Sequence, residues 1–379
     1  MTEKINVLHL RDTFEIGGPG KTILETFSHI DRNRFEIHIG VFKTRSEDAL
    51  SPFIKEARRR GIPLHLIESS HQYSPAVILS LLRVMKGMKC DILHTHETKS
   101  DLLGLIASRI RRVPVVTTLH GWIGNTRKER FMIALDKMVV RGFDRVIAVS
   151  KGMKASLVEA GFDSSRVCLL HNCIVTGKYR NTGQKGYLSE KTGKTLKRPV
   201  IGSVGRLSRE KGHKDFIEAI SIVLGRGYDA DFVLIGDGPE RENLAASIDR
   251  LGLDRNVHFA GYLSDMQLVF QDLDLMVLPS HTEGLPNVVL ESLMMGVPVI
   301  ATDVGGTSDI ISDYESGVLV APGRPDLLAC KIVEFLEDAG RFRRMSEKGR
   351  TAVETNFNFA ARTVRLERIY EELASKKGR

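Results

Sequence analysis

Two glutamates eight residues apart, Glu283 and Glu291, lie within "SHTEGLPNVVLESLMMGVPVIATDVGG", residues 280–306. Pro286 suits the first position of a helix, and Gly296 followed by Val297-Pro298 suits its stop. The spacing therefore predicts a helix over 286–295, directly after the strand "DLMVLPS". The first turn of a helix leaves backbone N–H groups without partners and carries the positive end of the peptide dipoles, which together make an anion site. Glu291 then lies about 7–8 Å along the axis from Pro286. An acid at the helix mouth and another one step deeper can hold hydroxyls on either side of a bound diphosphate. Two solvated surface acids are the bland alternative. Against it, a solvated Glu291 would expose the stripe of Val288, Met294 and Met295.

An anion site flanked by acids needs cations. "GSVGRLSREKGHKDFIEAI" supplies Arg206 and Lys211 in a loop between the strand "PVIGSVG" and a helix with Phe216, Ile220 and Val223 on one face. Arg offers a planar fork and Lys a compact charge, a suitable pair for a diphosphate. A second phosphate-like signal, "EIGGPGKT" at 15–22, ends as a P-loop does, but Glu15 stands where the signature needs glycine, and a carboxylate there repels phosphate. His120 in "TLHGW" ends a strand. His94 and His96 in "DILHTH" share one strand face and are read as structural or acceptor-side, not as metal ligands, because no third ligand is apparent. Two Asp-x-Asp triplets, Asp229–Asp231 and Asp272–Asp274, each precede a strand at its amino end and are read as chance matches.

The elements that must position these residues alternate along the chain. Strands are expected at "INVLHL", "FEIHIGVF", "PLHLI", "DILHTH", "PVVTTLH", "RVIAVS" and "RVCLLH", and again at "PVIGSVG", "DFVLIG", "VHFAG", "DLMVLP", "PVIAT" and "SGVLVA". Between them run amphipathic segments such as "PAVILSLLRVMKG", the layout of α/β domains with parallel sheets. Periodicity lapses over 172–198, placing a linker at 181–198 between domains at 1–180 and 199–357, with a last helix over 358–379. Ligands of such folds bind at the carboxyl ends of the strands.

With 379 residues, 42% hydrophobic and 27% charged, the chain buries a sizeable core. The four cysteines form no CxxC pair, and no apolar run reaches the ~18–20 residues of a membrane span. The amino terminus lacks a signal-peptide layout, so a cytoplasmic protein is expected. Net charge is +8; residues 1–180 hold 29 Lys+Arg against 18 Asp+Glu, or +11, and the remainder 26 against 29, or −3. The basic first half points to an anionic partner. Nucleic acid is disfavoured, since only 6% of residues are aromatic and base stacking would have little to use.

"GRLSREKG" with "HTEGLPNVVLESLMMGVPVIATDVGGTSDII", "FVLIGDGPERENL" and "VHFAGYLSD" closely resembles the retaining GT-B glycosyltransferases of family 4, two tandem Rossmann-like domains facing across a cleft. The first half joins the resemblance through its glycine loop, "DILHTHETKSDLLG", "TLHGW" and "FDRVIAVSKGMKASL". The resemblance implies a metal-independent transfer of a hexose from a nucleotide-diphosphate sugar, UDP- or GDP-linked, to a glycan or lipid-linked acceptor in polysaccharide or glycolipid synthesis, with no separate cofactor. Arg206 and Lys211 would clamp the diphosphate, Glu291 the ribose, and Glu283 with the amides of Gly284 and Leu285 the transferred sugar. The base would lie near Tyr262 and Leu263, and His120 beside the reacting bond. Gly17 and Gly18 would be small so that donor phosphate and acceptor approach the backbone.

Arg127, Arg130, Lys137 and Arg141 fall on one stripe of a predicted helix, beside Phe131, Leu135, Met138 and Val139. The pattern suits peripheral contact with the anionic inner face of the cytoplasmic membrane, and equally a core helix with a solvated basic side. A nucleotide-sugar epimerase of similar build is the main competing activity; it should pair acids with histidines for proton transfer, and no such pairing is visible in the sequence.

Overall fold

The computed structural model describes residues 4–12, 16–43, 51–68, 75–122, 127–196 and 199–377; Glu15 lies outside them. The chain divides into two compact units, residues 1–172 with 359–379, and residues 173–358. The first unit holds β1 (Ile5–Arg11), β2 (Phe35–Lys43), β3 (Leu64–Glu68), β4 (Ile92–Thr95), β5 (Val115–Leu119), β6 (Arg145–Ala148) and β7 (Val167–Leu169) in one parallel sheet, ordered β3-β2-β1-β4-β5-β6-β7. The second unit holds β8 (Val200–Val204), β9 (Asp231–Ile235), β10 (Val257–Gly261), β11 (Leu275–Leu278), β12 (Val299–Thr302) and β13 (Val318–Val320), ordered β10-β9-β8-β11-β12-β13 and again parallel. These are two doubly wound domains, and each expected strand is present. Strand order reverses between β1 and β4 in one sheet and between β8 and β11 in the other, so each unit has its switch point where ligand crevices open.

Helices cover the sheets, as parallel strands require. In the first unit they are α1 (Gly17–His29), α2 (Pro52–Arg59), α3 (Pro75–Gly87), α4 (Thr98–Arg111), α5 (Arg127–Val140) and α6 (Lys151–Glu159). In the second they are α7 (Tyr187–Thr192), α8 (His213–Gly225), α9 (Arg241–Arg250), α10 (Met266–Asp272), α11 (Asn287–Met294), α12 (Thr307–Ile310), α13 (Pro325–Glu337) and α14 (Ala339–Asn356). The last helix, α15 (Phe359–Lys377), belongs to the first unit. It places Leu366, Ile369, Tyr370 and Leu373 in a core with Val7, Ile92, Val116 and Ile147. Local chemistry starts several helices: the Ser150 hydroxyl accepts from Met153 N, Asp338 from Arg341 N, and Glu97 and Ser100 close a capping box on α4.

Three boundaries differ from the sequence expectation. Of the linker expected at 181–198, the described residues 181–196 are not free. The division falls at 172/173, and α7 is held against the second unit by Asp272, whose carboxylate accepts from Gly186 N at 2.9 Å and Leu188 N at 2.7 Å. Two hydrogen bonds to one acid replace the apolar periodicity whose lapse suggested a linker. α11 spans Asn287–Met294 instead of 286–295, because Pro286 takes an extended ψ of 106° and caps the helix from outside. α1 starts at Gly17, so Gly17 and Gly18 form its first turn and not a loop before it.

Candidate active site

At the switch point of the second unit, the loops after β8 and β11 bring opposite charges together. Lys211 Nζ stands 2.7 Å from Glu283 Oε1, and the Ser280 hydroxyl donates to the same oxygen at 2.7 Å. The Glu283 side chain is nearly buried at 7% exposure, while Lys211 keeps 25%, so the ammonium remains the accessible end of the pair. Arg206 is exposed on the same loop as Lys211. His213, the first residue of α8, fixes that loop: Nε2 lies 3.2 Å from the Arg206 carbonyl and Nδ1 3.3 Å from Ser203 Oγ. Burial holds His213 down at about 4, so near neutrality it acts as an uncharged strut.

Two glycines let these loops approach. A Cβ on Gly212 (φ +64°) would sit 1.9 Å from the Pro279 carbonyl oxygen, and one on Gly305 (φ +59°) 2.0 Å from that of Glu283. Gly306 N also donates to Gly284 O at 2.8 Å. The Glu-Gly-Leu-Pro turn is thus pressed between the loop after β8 and the loop after β12, which places the start of α11 beside the Lys211–Glu283 pair. Glu291 is 1% exposed on α11, as the stripe of Val288, Met294 and Met295 implied, and the Tyr179 hydroxyl donates to its Oε1 at 2.8 Å. Gly284 and Leu285 are buried at the helix mouth. Tyr262 is 76% exposed after β10, and Leu263 half-buried. Both Asp-x-Asp triplets have structural partners at the amino edge. Asp274 accepts from Val200 N, Asp229 from Asn256 Nδ2, Asp231 faces His258, and Asp272 holds α7.

The switch point of the first unit is built from imidazoles. His94 Nε2 lies 2.8 Å from Thr118 Oγ1 and its Nδ1 2.7 Å from the Tyr370 hydroxyl, which lies 3.0 Å from His9 Nε2. His9 Nδ1 in turn lies 3.0 Å from His96 Nε2. His9, on β1, is the third imidazole beside His94 and His96, and their ring nitrogens fall within 4.8 Å of one another. This corrects the expectation that no third ligand accompanies the pair; a neighbour on an adjacent strand leaves no trace in linear spacing. Metal-ligand geometry competes here with hydrogen bonds already made, and with the positive charge of Arg11 and Arg362. Burial and the Arg362 guanidinium push His9 down to about 3, and burial, Arg362 and Arg11 do the same to His120. Among the described residues neither ring nitrogen of His120 has a hydrogen-bond partner, nor does His96 Nδ1; the two rings stack with centroids 5.9 Å apart.

Beside them, after β1 and β4, two acids meet. Glu97 accepts from Asp12 N at 3.1 Å and pairs with Arg11 Nε at 3.2 Å. Burial and then the Glu97 charge raise Asp12 to about 7. Gly17 is exposed and Gly18 half-buried in the first turn of α1. Sequence reasoning missed Tyr179, Ser280, His213, His9, Asp12 and Tyr370. Only His9 had a usable signal, its place near the end of an expected strand at a predicted switch point.

Residues 185–352 match the family Glycosyl transferases group 1, and residues 16–178 match Glycosyltransferase Family 4. Among curated proteins, the chain is 25% identical over 390 residues to the UDP-Gal:alpha-D-GlcNAc-diphosphoundecaprenol alpha-1,3-galactosyltransferase of Escherichia coli, covering 99% of this chain and 98% of that one. It is 28% identical to the capsular polysaccharide biosynthesis glycosyltransferase CapM of Staphylococcus aureus, over 77% of this chain and 80% of that one. Among solved structures, Anabaena HepE in complex with UDP and glucose superposes with a TM-score of 0.85 at 21% identity, covering 97% of this chain and 99% of that one. Two adjoining family matches, full-length likeness to glycosyltransferases and two doubly wound domains carrying the Arg206–Lys211 and Glu283–Glu291 motifs place this enzyme among the GT-B glycosyltransferases of family 4.

Proposed function

We propose that the enzyme transfers a hexose from a UDP-sugar, with retention and without a metal, to the terminal sugar of a lipid-linked glycan. The observation that carries this reading is the Lys211–Glu283–Ser280 group, set with exposed Arg206 and buried Glu291 around the start of α11. The cations neutralise the diphosphate as the glycosidic bond breaks and charge builds on the leaving oxygen. Glu283, held by Ser280 and Lys211, accepts from hydroxyls of the sugar, and Glu291 from the ribose. The acceptor hydroxyl attacks the anomeric carbon on the face the diphosphate leaves, and its proton passes to a leaving phosphate oxygen. Positioning and electrostatics supply the rate, so no side-chain nucleophile is required. Two cations at the phosphate and two Asp-x-Asp triplets engaged at the opposite edge support transfer without a metal.

UDP as the nucleotide and a diphospholipid as the acceptor follow the E. coli relative and HepE, whose names carry them. A peripheral membrane contact fits the first unit: α5 exposes Phe131 (69%) and Met138 (61%) among Arg127 and Arg130, and its neighbour α4 exposes Ile106 and Ile110 among Arg109 and Arg111. Among the described residues no helix is long and apolar enough to cross a membrane. Family membership sets aside the epimerase of similar build.

The test is a thermal-shift panel of UDP, GDP, ADP and ATP, then the matching sugars, followed by transfer to a short-tailed GlcNAc-diphospholipid in EDTA with the product anomer read by NMR. Stabilisation by UDP and a UDP-hexose, with an α product that survives EDTA, is expected. Stabilisation by ATP with Mg²⁺ alone, or an inverted product, overturns the reading. Liposomes containing anionic lipid should bind the enzyme at low salt and release it at high salt; indifference to them removes the membrane contact.

A further inference from the structure

The sequence read His94 and His96 as a pair on one strand face; the fold links them through two residues remote in the chain. Thr118, His94, Tyr370, His9 and His96 form an unbroken series of contacts of 2.7–3.0 Å across β5, β4, α15 and β1. All three histidines and Tyr370 are buried. A neutral imidazole has one N–H and one lone pair, and a phenol has one proton to donate. The series therefore has two fully satisfied arrangements. In one, Tyr370 donates to His94 Nδ1, His9 donates to Tyr370 and His96 donates to His9, leaving a lone pair at His96 Nδ1. In the other every donor reverses, and His96 Nδ1 carries a proton. The far end of the series is always Nδ1 of His96, and that nitrogen has no partner among the described residues.

We propose that His96 binds a hydroxyl of the acceptor through Nδ1, and that Tyr370 is a positioning residue that sets the donor or acceptor state of this nitrogen through His9. A buried polar atom without a partner is costly, so its retention needs a ligand or water to meet it. His96 Nδ1 and both nitrogens of His120 are three such atoms at the carboxyl ends of adjacent strands β4 and β5. Their chemistry selects the ligand class. Arg11 and Arg362 nearby repel a cation, and an anion, which only accepts, meets Nδ1 in its protonated state alone, whereas a hydroxyl both donates and accepts and meets either state. A neutral polyol, the sugar end of an acceptor, fits; here the inference rests on the glycosyltransferase reading.

The test uses the full-length enzyme labelled with ¹⁵N-histidine, with ring-nitrogen tautomers read by NMR without donor, and the short-tailed GlcNAc-diphospholipid as acceptor probe. Tyr370→Phe keeps the packing of the ring and removes only the hydroxyl. It should move His9 and His96 toward a mixture of tautomers and raise the acceptor KM several-fold, leaving the UDP thermal shift unchanged. His96→Gln places an amide near Nε2 and vacates Nδ1, so His9 should keep its tautomer while acceptor affinity falls about ten-fold. His96→Asn places its amide near Nδ1 and should retain more acceptor affinity than His96→Gln. Unchanged ring-nitrogen signals in Tyr370→Phe overturn the positioning role. Wild-type acceptor affinity in His96→Gln overturns the hydroxyl contact, and stoichiometric Zn²⁺ binding that removes the His9, His94 and His96 signals replaces both with a metal site. Transfer failing in every variant, wild type included, counts against the proposed function alone, because the tautomer spectrum needs no turnover.

Discussion

At the switch point of the second unit the side chains are charged and paired, Lys211 with Glu283 beside exposed Arg206; at that of the first they are neutral rings joined through Tyr370, next to an acid pair shared by Asp12 and Glu97. The sheets present equivalent edges, so the fold itself does not explain the difference. On the proposed function, what each edge would recognise does. A diphosphate carries charge that develops further as the glycosidic bond breaks, and fixed cations there act where stabilisation has most effect. A sugar hydroxyl carries none, and uncharged donors and acceptors suffice. The difference also bears on stability, because buried neutral imidazoles titrate on unfolding whereas the paired ions at the other edge stay accessible to counter-charges.

The comparison breaks most directly at Lys211. Lys211→Ala leaves Glu283 nearly buried with Ser280 as a neutral partner and, on the proposed function, removes one of two cations from the leaving group. The expected loss is about 10²–10³ in kcat, the size found when one transition-state donor is removed. Initial rates at saturating donor measure it. A change below three-fold would mean that the charged edge is structural and that the contrast with the first unit says nothing about chemistry.

Acid should separate the two units next. Histidines with lowered folded values contribute stability that is present above about 6.5 and lost as pH falls toward those values; in the first unit these are His9, His38, His65, His94, His96 and His120. Asp12, Asp101 and Asp136 have raised folded values and run the other way, since the fold keeps protons that the unfolded chain releases above 3.8. The four deeply buried histidines, His9, His94, His96 and His120, outnumber the three raised acids, so near pH 5 the unfolded first unit binds more protons than the folded one and stability falls as pH drops from 7. In the second unit the lowered His213 is opposed in sign by the raised Asp215, so fewer groups there take up protons on unfolding. Hydrogen exchange at pH 7 and pH 5 should therefore show protection falling first in peptides of 4–172 and 359–377. Equal loss in both units would remove the stability side of the comparison.

Gly305→Ala tests how the charged edge is assembled. The new Cβ meets the Glu283 carbonyl at 2.0 Å in a left-handed backbone, so the turn that carries Glu283 must move. We expect about 1–3 kcal/mol of destabilisation, seen as a lower Tm, together with weaker UDP binding. A lower Tm with donor binding intact would show that the turn tolerates displacement and that the close glycine approach serves folding alone.

Much of this was legible in the chain and some was not, for physical reasons. All thirteen strands followed from short β-branched runs, since buried parallel strands are apolar on both faces and interrupted by helical periodicity. Arg206, Lys211, Glu283 and Glu291 stood out because each belongs to a loop or helix start whose local spacing carries the signal. Tyr179 did not, because it reaches Glu291 from a stretch with no periodicity, 112 residues away. His9, Thr118 and Tyr370 meet His94 only after three strands and the last helix assemble, the His9–Tyr370 contact spanning 361 residues. Local chemistry is written locally, whereas a network through a sheet is written in the strand order.

Glu291→Gln gives the smallest effect and the finest discrimination between the edges. The amide keeps the volume of the side chain on a helix where Leu290, Ser292 and Leu293 are fully buried, and its oxygen can still accept from the Tyr179 hydroxyl. What is lost is the charge on the acceptor, which on the proposed function strengthens hydrogen bonds from ribose hydroxyls. A hydrogen bond to a charged group contributes about 1.5–3 kcal/mol against roughly 1 for a neutral one, so UDP affinity should fall about three- to thirty-fold with little change in Tm. Calorimetry of UDP and 2′-deoxy-UDP then separates the cases. If the variant loses affinity for UDP but not for the deoxy analogue, the carboxylate reads the 2′-hydroxyl; if it loses both equally, Glu291 acts through Tyr179 and the shape of the second unit's switch point.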